Sequence, residues 1–300
     1  MRRRFFLVVN AGAGLSRPRL VDEVVAFLLR EGASIARETP SDFAAIRRLV
    51  GTAARSGRYD AVVAAGGDGT IRAAAAGIAG TDVALAIIPC GTANVLAQEI
   101  GLKATLRSVS ETLCRGVEVP IACGRANGEP FLLMAGAGFD ARVVGALNHP
   151  LKSRIGKIAY APPVLGALLR PLDSLNVTID ERSHQANWVV IANARHYAGR
   201  FVLAPRAGIH RRGLEAVLFR AGSRAVLMGQ LLSLLRGQLD RRAQRHGDVA
   251  MYRCSHVRIS APAPVPVQID GDVFGVTPLE TQAGGEAIRL IVPEGTHLIA

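Results

Sequence analysis

The sequence predicts an α/β domain built on a parallel sheet, followed by a largely antiparallel β-rich domain, a sandwich or an open barrel. Three observations carry this. Residues 5–115 alternate short apolar runs with segments of helical period. Three of the apolar runs stop at glycine-rich turns. From about residue 117 the pattern changes to short strands separated by turn residues. The expected division is 1–118 and 119–300, with the last strand a candidate to return to the first domain.

Phe5–Val9 reads as a strand running into the turn Asn10-Ala11-Gly12-Ala13-Gly14. Ser16 is a candidate cap for a helix with Pro18 in its first turn and Leu20, Val24 and Leu28 at helical spacing. Ala33–Arg37 is a strand ending near Thr39, and Ser41-Asp42 opens a helix carrying Ile46, Leu49 and Ala53. Val62 to Ala65 is a buried strand that stops at Gly66-Gly67-Asp68-Gly69-Thr70, and a helix runs from Thr70 to about Ala79. Val83–Ile88 ends in Pro89-Cys90-Gly91-Thr92-Ala93-Asn94, with helices through Glu99 and from Leu106 to Arg115.

In the second half Val117–Arg125 and Phe131–Ala135 flank an Asn127-Gly128 hairpin turn. Leu175–Ile179, Trp188–Asn193, Leu214–Phe219, Val257–Ser260, Val265–Ile269 and Ala287–Val292 are further strands. Helical stretches are expected at Ile155–Leu169, broken by Pro162-Pro163, and at Ser223–Gln238.

With 49% hydrophobic residues in 300, the chain can bury a sizeable core, although its mean hydropathy of +0.25 comes from short runs. No apolar stretch approaches the roughly 18–20 residues of a membrane span. Arg2-Arg3-Arg4 before Phe5–Val9 imitates a signal peptide, but Asn10 ends the apolar part too early, so a cytoplasmic protein is expected. The net charge is +12 and nearly all of it is arginine, the only lysines being Lys103, Lys152 and Lys157. Such charge suits anionic partners, and arginine bias also arises from genome composition alone. Aromatic residues at 5% and the lack of a reader motif speak against specific nucleic-acid binding. Cys90, Cys114, Cys123 and Cys254 form no C-x-x-C pair, and the histidines show no metal-ligand spacing, so no protein-held metal is expected.

The glycine turns carry the chemistry. A Gly-rich turn between strand and helix offers backbone N–H groups and the positive end of a helix dipole to a phosphate. A plain tight turn has the same local pattern. The ordinary P-loop and Rossmann fingerprints are both absent, so the reading rests on three such turns ending successive strands of one sheet.

Taken in order, Gly66-Gly67-Asp68-Gly69-Thr70, Pro89-Cys90-Gly91-Thr92-Ala93-Asn94, Gly136-Ala137-Gly138-Phe139-Asp140 and Asp270-Gly271-Asp272 resemble the diacylglycerol kinase catalytic-domain family, which includes bacterial lipid kinases and sphingosine and ceramide kinases. The first motif alone is shared with NAD kinases. The resemblance spans nearly the whole chain and implies ATP, carried as its Mg²⁺ complex, in a cleft between the two domains. It implies nucleotide contacts from Asn10, Gly14, Thr39, Gly66, Gly67, Asp68, Gly69, Thr70, Gly91, Thr92 and Asn94. Asp270 matches the aspartate proposed as general base, and Asp272 stands where the family usually has Glu. Asp68 is the other catalytic candidate, acting through Mg²⁺ and the phosphate network. Without the resemblance, Asp-Gly-Asp is also an ordinary surface turn.

The implied reaction is transfer of the ATP γ-phosphate to a hydroxyl of a diacylglycerol-like or sphingoid lipid, as in phospholipid metabolism. NAD phosphorylation and a degenerate nucleotide- or lipid-binding protein are the alternatives. Departures from the family pattern are Ala11, Val95 and Ala122, and His210-Arg211-Arg212-Gly213 where bacterial members carry an acidic segment associated with a structural Mg²⁺. Arginine cannot ligate Mg²⁺, so that metal is not expected here. Arg195, His196, Arg200, Arg206, Arg211 and Arg212 are candidates for a basic face toward anionic membrane. The apolar segments near Tyr160–Leu169 and Ser223–Gln238 are either lipid-facing or core.

Overall fold

The computed structural model describes residues 2–10, 17–147 and 159–296. Gly14 and Ser16 lie outside them, as do residues 155–158 of the expected apolar helix. The chain forms two compact units, Met1–Ala122 with Glu286–Ala300, and Cys123–Gly285.

The first unit is a six-stranded sheet. Its first five strands in chain order are β1 (Arg4–Val9), β2 (Ser34–Glu38), β3 (Ala61–Gly66), β4 (Ala84–Pro89) and β5 (Val117–Ile121). The sixth is β20 (Ile288–Val292), the last strand of the chain, and the order is β2-β1-β3-β4-β20-β5. β2, β1, β3 and β4 run parallel; β20 is parallel to β4 and antiparallel to β5. β3 and β4 are buried along their whole length, which is why they read as continuous apolar runs without alternation. The helices are α1 (Pro18–Arg30), α2 (Phe43–Arg55), α3 (Asp68–Ile78), α4 (Val95–Glu99) and α5 (Leu106–Arg115). Asp42 caps α2 by accepting the Ala45 N–H at 2.8 Å, and Thr105 caps α5 through the Ser108 N–H. α2 and α3 pack closely through glycine: a Cβ on Gly77 would stand 2.7 Å from the Arg47 carbonyl oxygen.

The second unit contains β6 (Gly124–Ala126), β7 (Glu129–Phe131), β8 (Met134–Ala137), β9 (Leu175–Ile179), β10 (Arg182–Ala186), β11 (Trp188–Ala192), β12 (His196–Tyr197), β13 (Phe201–Val202), β14 (Leu214–Phe219), β15 (Val249–Cys254), β16 (His256–Ser260), β17 (Pro266–Ile269), β18 (Asp272–Val276) and β19 (Leu279–Gln282). They form two antiparallel six-stranded sheets, β10-β9-β16-β19-β6-β7 and β15-β14-β11-β8-β17-β18, with β12 and β13 a separate ribbon. Val177, Ile179, Val257 and Ile259 of one sheet meet Ala135, Val189, Ile191 and Leu218 of the other in a single apolar core. This is a sandwich rather than an open barrel. Trp188 stacks on Phe219 with ring centroids 3.8 Å apart and meets Phe139 at 5.3 Å. The helices are α6 (Phe139–Gly145), α7 (Ala161–Leu169), α8 (Arg224–Leu235) and α9 (Leu239–His246).

Several expectations are corrected. Val117–Arg125 is not one strand: β5 belongs to the first unit's sheet and β6 to the second unit's. Pro162 and Pro163 do not break α7; they occupy its first turn, where a missing N–H costs nothing. The Ser223–Gln238 stretch ends at Leu235, and α9 begins at Leu239. Among the short strands, β10, β15, β18 and β19 escaped the pattern because they are half-exposed or interrupted by polar residues.

Gly77→Ala forces α3 away from backbone on α2. The gain in helix propensity, about 1 kcal/mol, is outweighed by overpacking that typically costs about 1–3 kcal/mol. Urea unfolding should therefore show a lower midpoint with unchanged slope; an equal or higher midpoint would show that the two helices have room to separate.

Candidate functional site

In the first unit the carboxyl ends of β2, β1, β3 and β4 lie side by side on one edge of the sheet. The chain leaves β1 for β2 on one side and returns to β3 on the other, so β1 and β3 flank the point where ligands bind in such sheets. Thr39 follows β2 and is exposed, Asn10 follows β1, Gly66–Thr70 follows β3, and Gly91–Asn94 follows β4. These predicted residues are therefore brought to one edge.

The two glycine turns are built against each other. The ladder between β3 and β4 continues one step past the strands, the Cys90 N–H donating to the Gly66 carbonyl at 3.0 Å. A Cβ on Gly91 would stand 2.6 Å from the Gly67 Cα, a distance backbone cannot tolerate. A Cβ on Gly66 would meet Thr70 Oγ1 at 2.5 Å, and that hydroxyl in turn accepts a hydrogen bond from Asn10 Nδ2 at 3.1 Å. α3 begins at Asp68, so its first N–H groups open toward this edge with no carbonyl partner inside the helix.

Asp68 has a second task. Both its carboxylate oxygens accept backbone N–H groups at 3.1 Å, from Val95 and Leu96 at the start of α4. Asn94, in the left-handed region at φ 48°, does not cap α4 itself. It folds back on its own turn: Oδ1 accepts the Gly91 N–H at 2.8 Å and Nδ2 donates to the Gly91 carbonyl at 2.7 Å. Asp68 thus caps α4 from the neighbouring turn and ties the two glycine turns together. Donors of this kind, with no Cβ in the way, fit a polyphosphate chain.

In the second unit Asp270 and Gly271 join β17 to β18, both at positive φ (48° and 84°), with Ile269 paired to Asp272. This is the two-residue hairpin geometry that Asp-Gly favours. Asp270 is 6% exposed, and its carboxylate accepts three backbone N–H groups, from Leu132 at 2.8 Å, Leu133 at 2.9 Å and Met134 at 3.0 Å. Its own N–H donates to the Met134 carbonyl at 2.9 Å. Asp270 therefore staples the hairpin to the start of β8. Asp272, two residues on, is only partly buried.

A polar chain supports this hairpin. The Gly271 N–H donates to Gln268 Oε1 at 2.9 Å, and Gln268 Nε2 donates to Asp140 Oδ2 at 2.9 Å. Asp140 is 2% exposed, and burial pushes its carboxyl up to about 6 against the lowering pull of the Gln268 amide and the Ala141 N–H. A Cβ on Gly136 would lie 2.6 Å from Asp140 Oδ2. The motif Gly136-Ala137-Gly138-Phe139-Asp140 carries Asp140 without its role; an acid four residues after the strand glycine Gly136, with a glutamine two residues before Asp270, is the available signal.

The segment between β13 and β14 carries no acidic group at 210–212. Arg211 Nη1 donates to the Arg206 carbonyl at 3.1 Å, so a guanidinium occupies the loop. Glu215 is buried and spends Oε2 on the Arg206 and Ala207 N–H groups, and burial raises its carboxyl above the usual range. These residues do not fit a structural divalent ion. Of the expected basic face, Arg200, Arg206 and Arg212 are exposed, whereas Arg195 and His196 are half-buried.

Two family models match the chain. One describes the diacylglycerol kinase catalytic domain and matches residues 4–126; the other describes the YegS C-terminal NAD kinase beta sandwich-like domain and matches 134–292. A probable lipid kinase YegS-like of Pseudomonas putida is 30% identical over 85% of this chain and 84% of its own length. A diacylglycerol kinase of Mycobacterium tuberculosis is 28% identical over 90% of this chain and 88% of its own. An uncharacterized Synechocystis protein is 26% identical over 77% of the chain, which spans about half, 54%, of that relative. A crystal structure of a diacylglycerol kinase from Bacillus anthracis superposes with TM-score 0.75 at 18% identity, covering 99% of each chain, a likeness of fold.

Two outcomes follow from this geometry. Gly91→Ala drives the two glycine turns apart; if these turns hold a nucleotide, affinity for Mg·ATP, measured by calorimetry, should fall about tenfold or more, equivalent to ~1.4 kcal/mol, and unchanged affinity would separate the turns from nucleotide. Asp140 should titrate near 6 by carboxyl ¹³C NMR, and Gln268→Leu should move its midpoint higher, because the amide stabilises the anion. Since its folded value exceeds the ordinary 3.8, Asp140's contribution to stability is lost as pH rises from about 4 to about 6. A midpoint near 4 would contradict the assignment.

Proposed function

From the premise that the chain belongs to the diacylglycerol kinase catalytic-domain family, we propose that it is a lipid kinase that transfers the γ-phosphate of ATP to a lipid hydroxyl. The observation that carries this reading is the pair of interlocked glycine turns at the switch point of the first sheet, held together by Asp68. In the proposed mechanism the backbone N–H groups at the start of α3, Asp68–Thr70, with the dipole of that helix, bind and orient the phosphate chain, and Gly91 lets the two turns close beside it. Mg²⁺ bound with the nucleotide would supply charge neutralisation on its phosphates. Asn10 fixes the Thr70 hydroxyl, and Thr39, Thr92 and Asn94 shape the nucleotide side of the same edge. Gly14 belongs to the same proposal through the family motif alone.

The acceptor hydroxyl must lose its proton as its oxygen bonds to the γ-phosphorus and ADP departs, which calls for a carboxylate. Both Asp270 and Asp272 stand at the β17–β18 hairpin. Asp272 is the more exposed of the two, so we assign it the proton and give Asp270, which is buried and holds three backbone N–H groups, the task of fixing the hairpin. Asp68 enters as a positioning residue. The names of the relatives support a diacylglycerol-like acceptor, and such an acceptor resides in a bilayer, so the protein works at a membrane surface.

The test incubates the protein with labelled Mg·ATP and mixed micelles containing diacylglycerol, monoacylglycerol, ceramide or sphingosine, and in parallel with NAD. Label should enter a lipid. Asp272→Asn should lower kcat by about 10²–10⁴-fold with the KM for ATP and the melting temperature unchanged. Asp270→Asn, which must turn an NH₂ toward at least one of three N–H donors, should lower stability by about 1.5–3 kcal/mol. Label in NAD alone would assign the other kinase class. Nucleotide binding without any transfer would make the chain a binding protein. Full activity in Asp272→Asn would return the proton to Asp270.

A further inference from the structure

Nine large apolar side chains are exposed among the described residues, and seven of them lie on three elements of the second unit. They are Val273 and Val276 on β18, Leu165 and Leu169 on α7, and Met228, Leu232 and Leu235 on α8. These elements are contiguous: α6 packs on β17 and β18, α7 packs on α6, and α8 packs on α7. Val273 lies 3.8 Å from where a Cβ on Gly145 would stand, at the end of α6. Scattered apolar side chains on a surface are ordinary, but a contiguous run marks a binding surface.

α8 shows the design most plainly. Leu227, Gln230 and Leu234 face the interior. The opposite side of the same helix carries Ala225, Met228, Leu232 and Leu235, all exposed and spaced as one helical stripe. A helix that is apolar on all sides does not suit water. In α7, Pro163 and Leu168 are buried while Leu165 and Leu169, one turn apart, are about 60% exposed. Neither helix contains an acidic residue. Arg170 ends α7, Arg224 begins α8 and Arg236 ends it, all exposed. Of the nearby acids, Asp173 and Asp248 pair with Arg142 and Arg242, while Asp272 begins β18 and Asp240 stands in the first turn of α9.

We infer that α7, α8 and β18 form a docking face for an anionic lipid bilayer, with the leucines and valines entering the acyl boundary and the three arginines meeting lipid phosphates. The identity of the occupant rests on the lipid-kinase reading; the apolar stripe and its cationic ends do not. A second copy of the chain fits less well, because in a self-complementary contact the arginines would find no acidic residue on either helix of the partner. The face belongs to the unit that carries Asp270 and Asp272, and α6 links it to their hairpin.

The experiment is sedimentation with vesicles of phosphatidylcholine, alone or mixed with phosphatidylglycerol, without nucleotide. The protein should pellet with the mixed vesicles and less so at high salt. Met228→Gln/Leu232→Gln/Leu235→Gln should lower partitioning about tenfold or more at every salt concentration. Arg170→Gln/Arg224→Gln/Arg236→Gln should remove the preference for phosphatidylglycerol and the salt dependence. Leu29→Gln, an exposed leucine on α1, serves as control and should leave binding unchanged. All seven positions are exposed, so melting temperatures should hold. A wild-type protein that stays in the supernatant, a glutamine variant that binds as well as wild type, or a wild-type dimer that the glutamine variant converts to monomer would each overturn the inference. Phosphate transfer to a water-dispersed short-chain diacylglycerol, measured on the same variants, reports on the kinase reading separately.

Discussion

The first unit depends on one carboxylate. Asp68 sits at the start of α3 and accepts the first two N–H groups of α4, 27 residues further on. A negative charge there satisfies two helix N-termini at once. Because it does, Gly67 and Gly91 can approach closely enough that a single added carbon would not fit. The buried strands β3 and β4 fix where the turns begin, and Asp68 fixes where they end. An acid would repel a phosphate from such a loop, but the Asp68 carboxylate is turned to the Val95 and Leu96 N–H groups.

The second unit repeats the device. Asp270 accepts three backbone N–H groups from Leu132, Leu133 and Met134, where β8 begins, and in doing so pins the β17–β18 hairpin. Gln268 and Asp140 reinforce it from the other side. In both units an aspartate inside a glycine motif acts as a fastener of backbone.

Much of this was legible in the sequence. Buried parallel strands ending in glycine turns are visible as apolar runs, and Gly66–Thr70 and Gly91–Asn94 were placed at strand ends by that pattern alone. The antiparallel character of the second half followed from its short strands and turn residues. What escaped has a physical reason. The partner of a carboxylate that binds backbone N–H groups has no side-chain signature, so neither Asp68 with Leu96 nor Asp270 with Leu133 can be read from residue types. Pro162-Pro163 reads as a break because sequence does not show whether a proline stands in a first turn or an interior one. The apolar face of α8 was ambiguous for a similar cause: Leu227 and Leu232 look alike in sequence, and only packing tells that one is buried and the other exposed.

The central claim, that the interlocked glycine turns hold the phosphates of a nucleotide, is tested most directly by following backbone amide resonances of the isotopically labelled protein as Mg²⁺ and a non-hydrolysable ATP analogue are added. The account predicts the largest shifts at the amides of Gly66–Thr70 and Gly91–Asn94, accompanied by Asn10 and Thr39. Saturable binding with those amides unmoved and the shifts clustered elsewhere would contradict it.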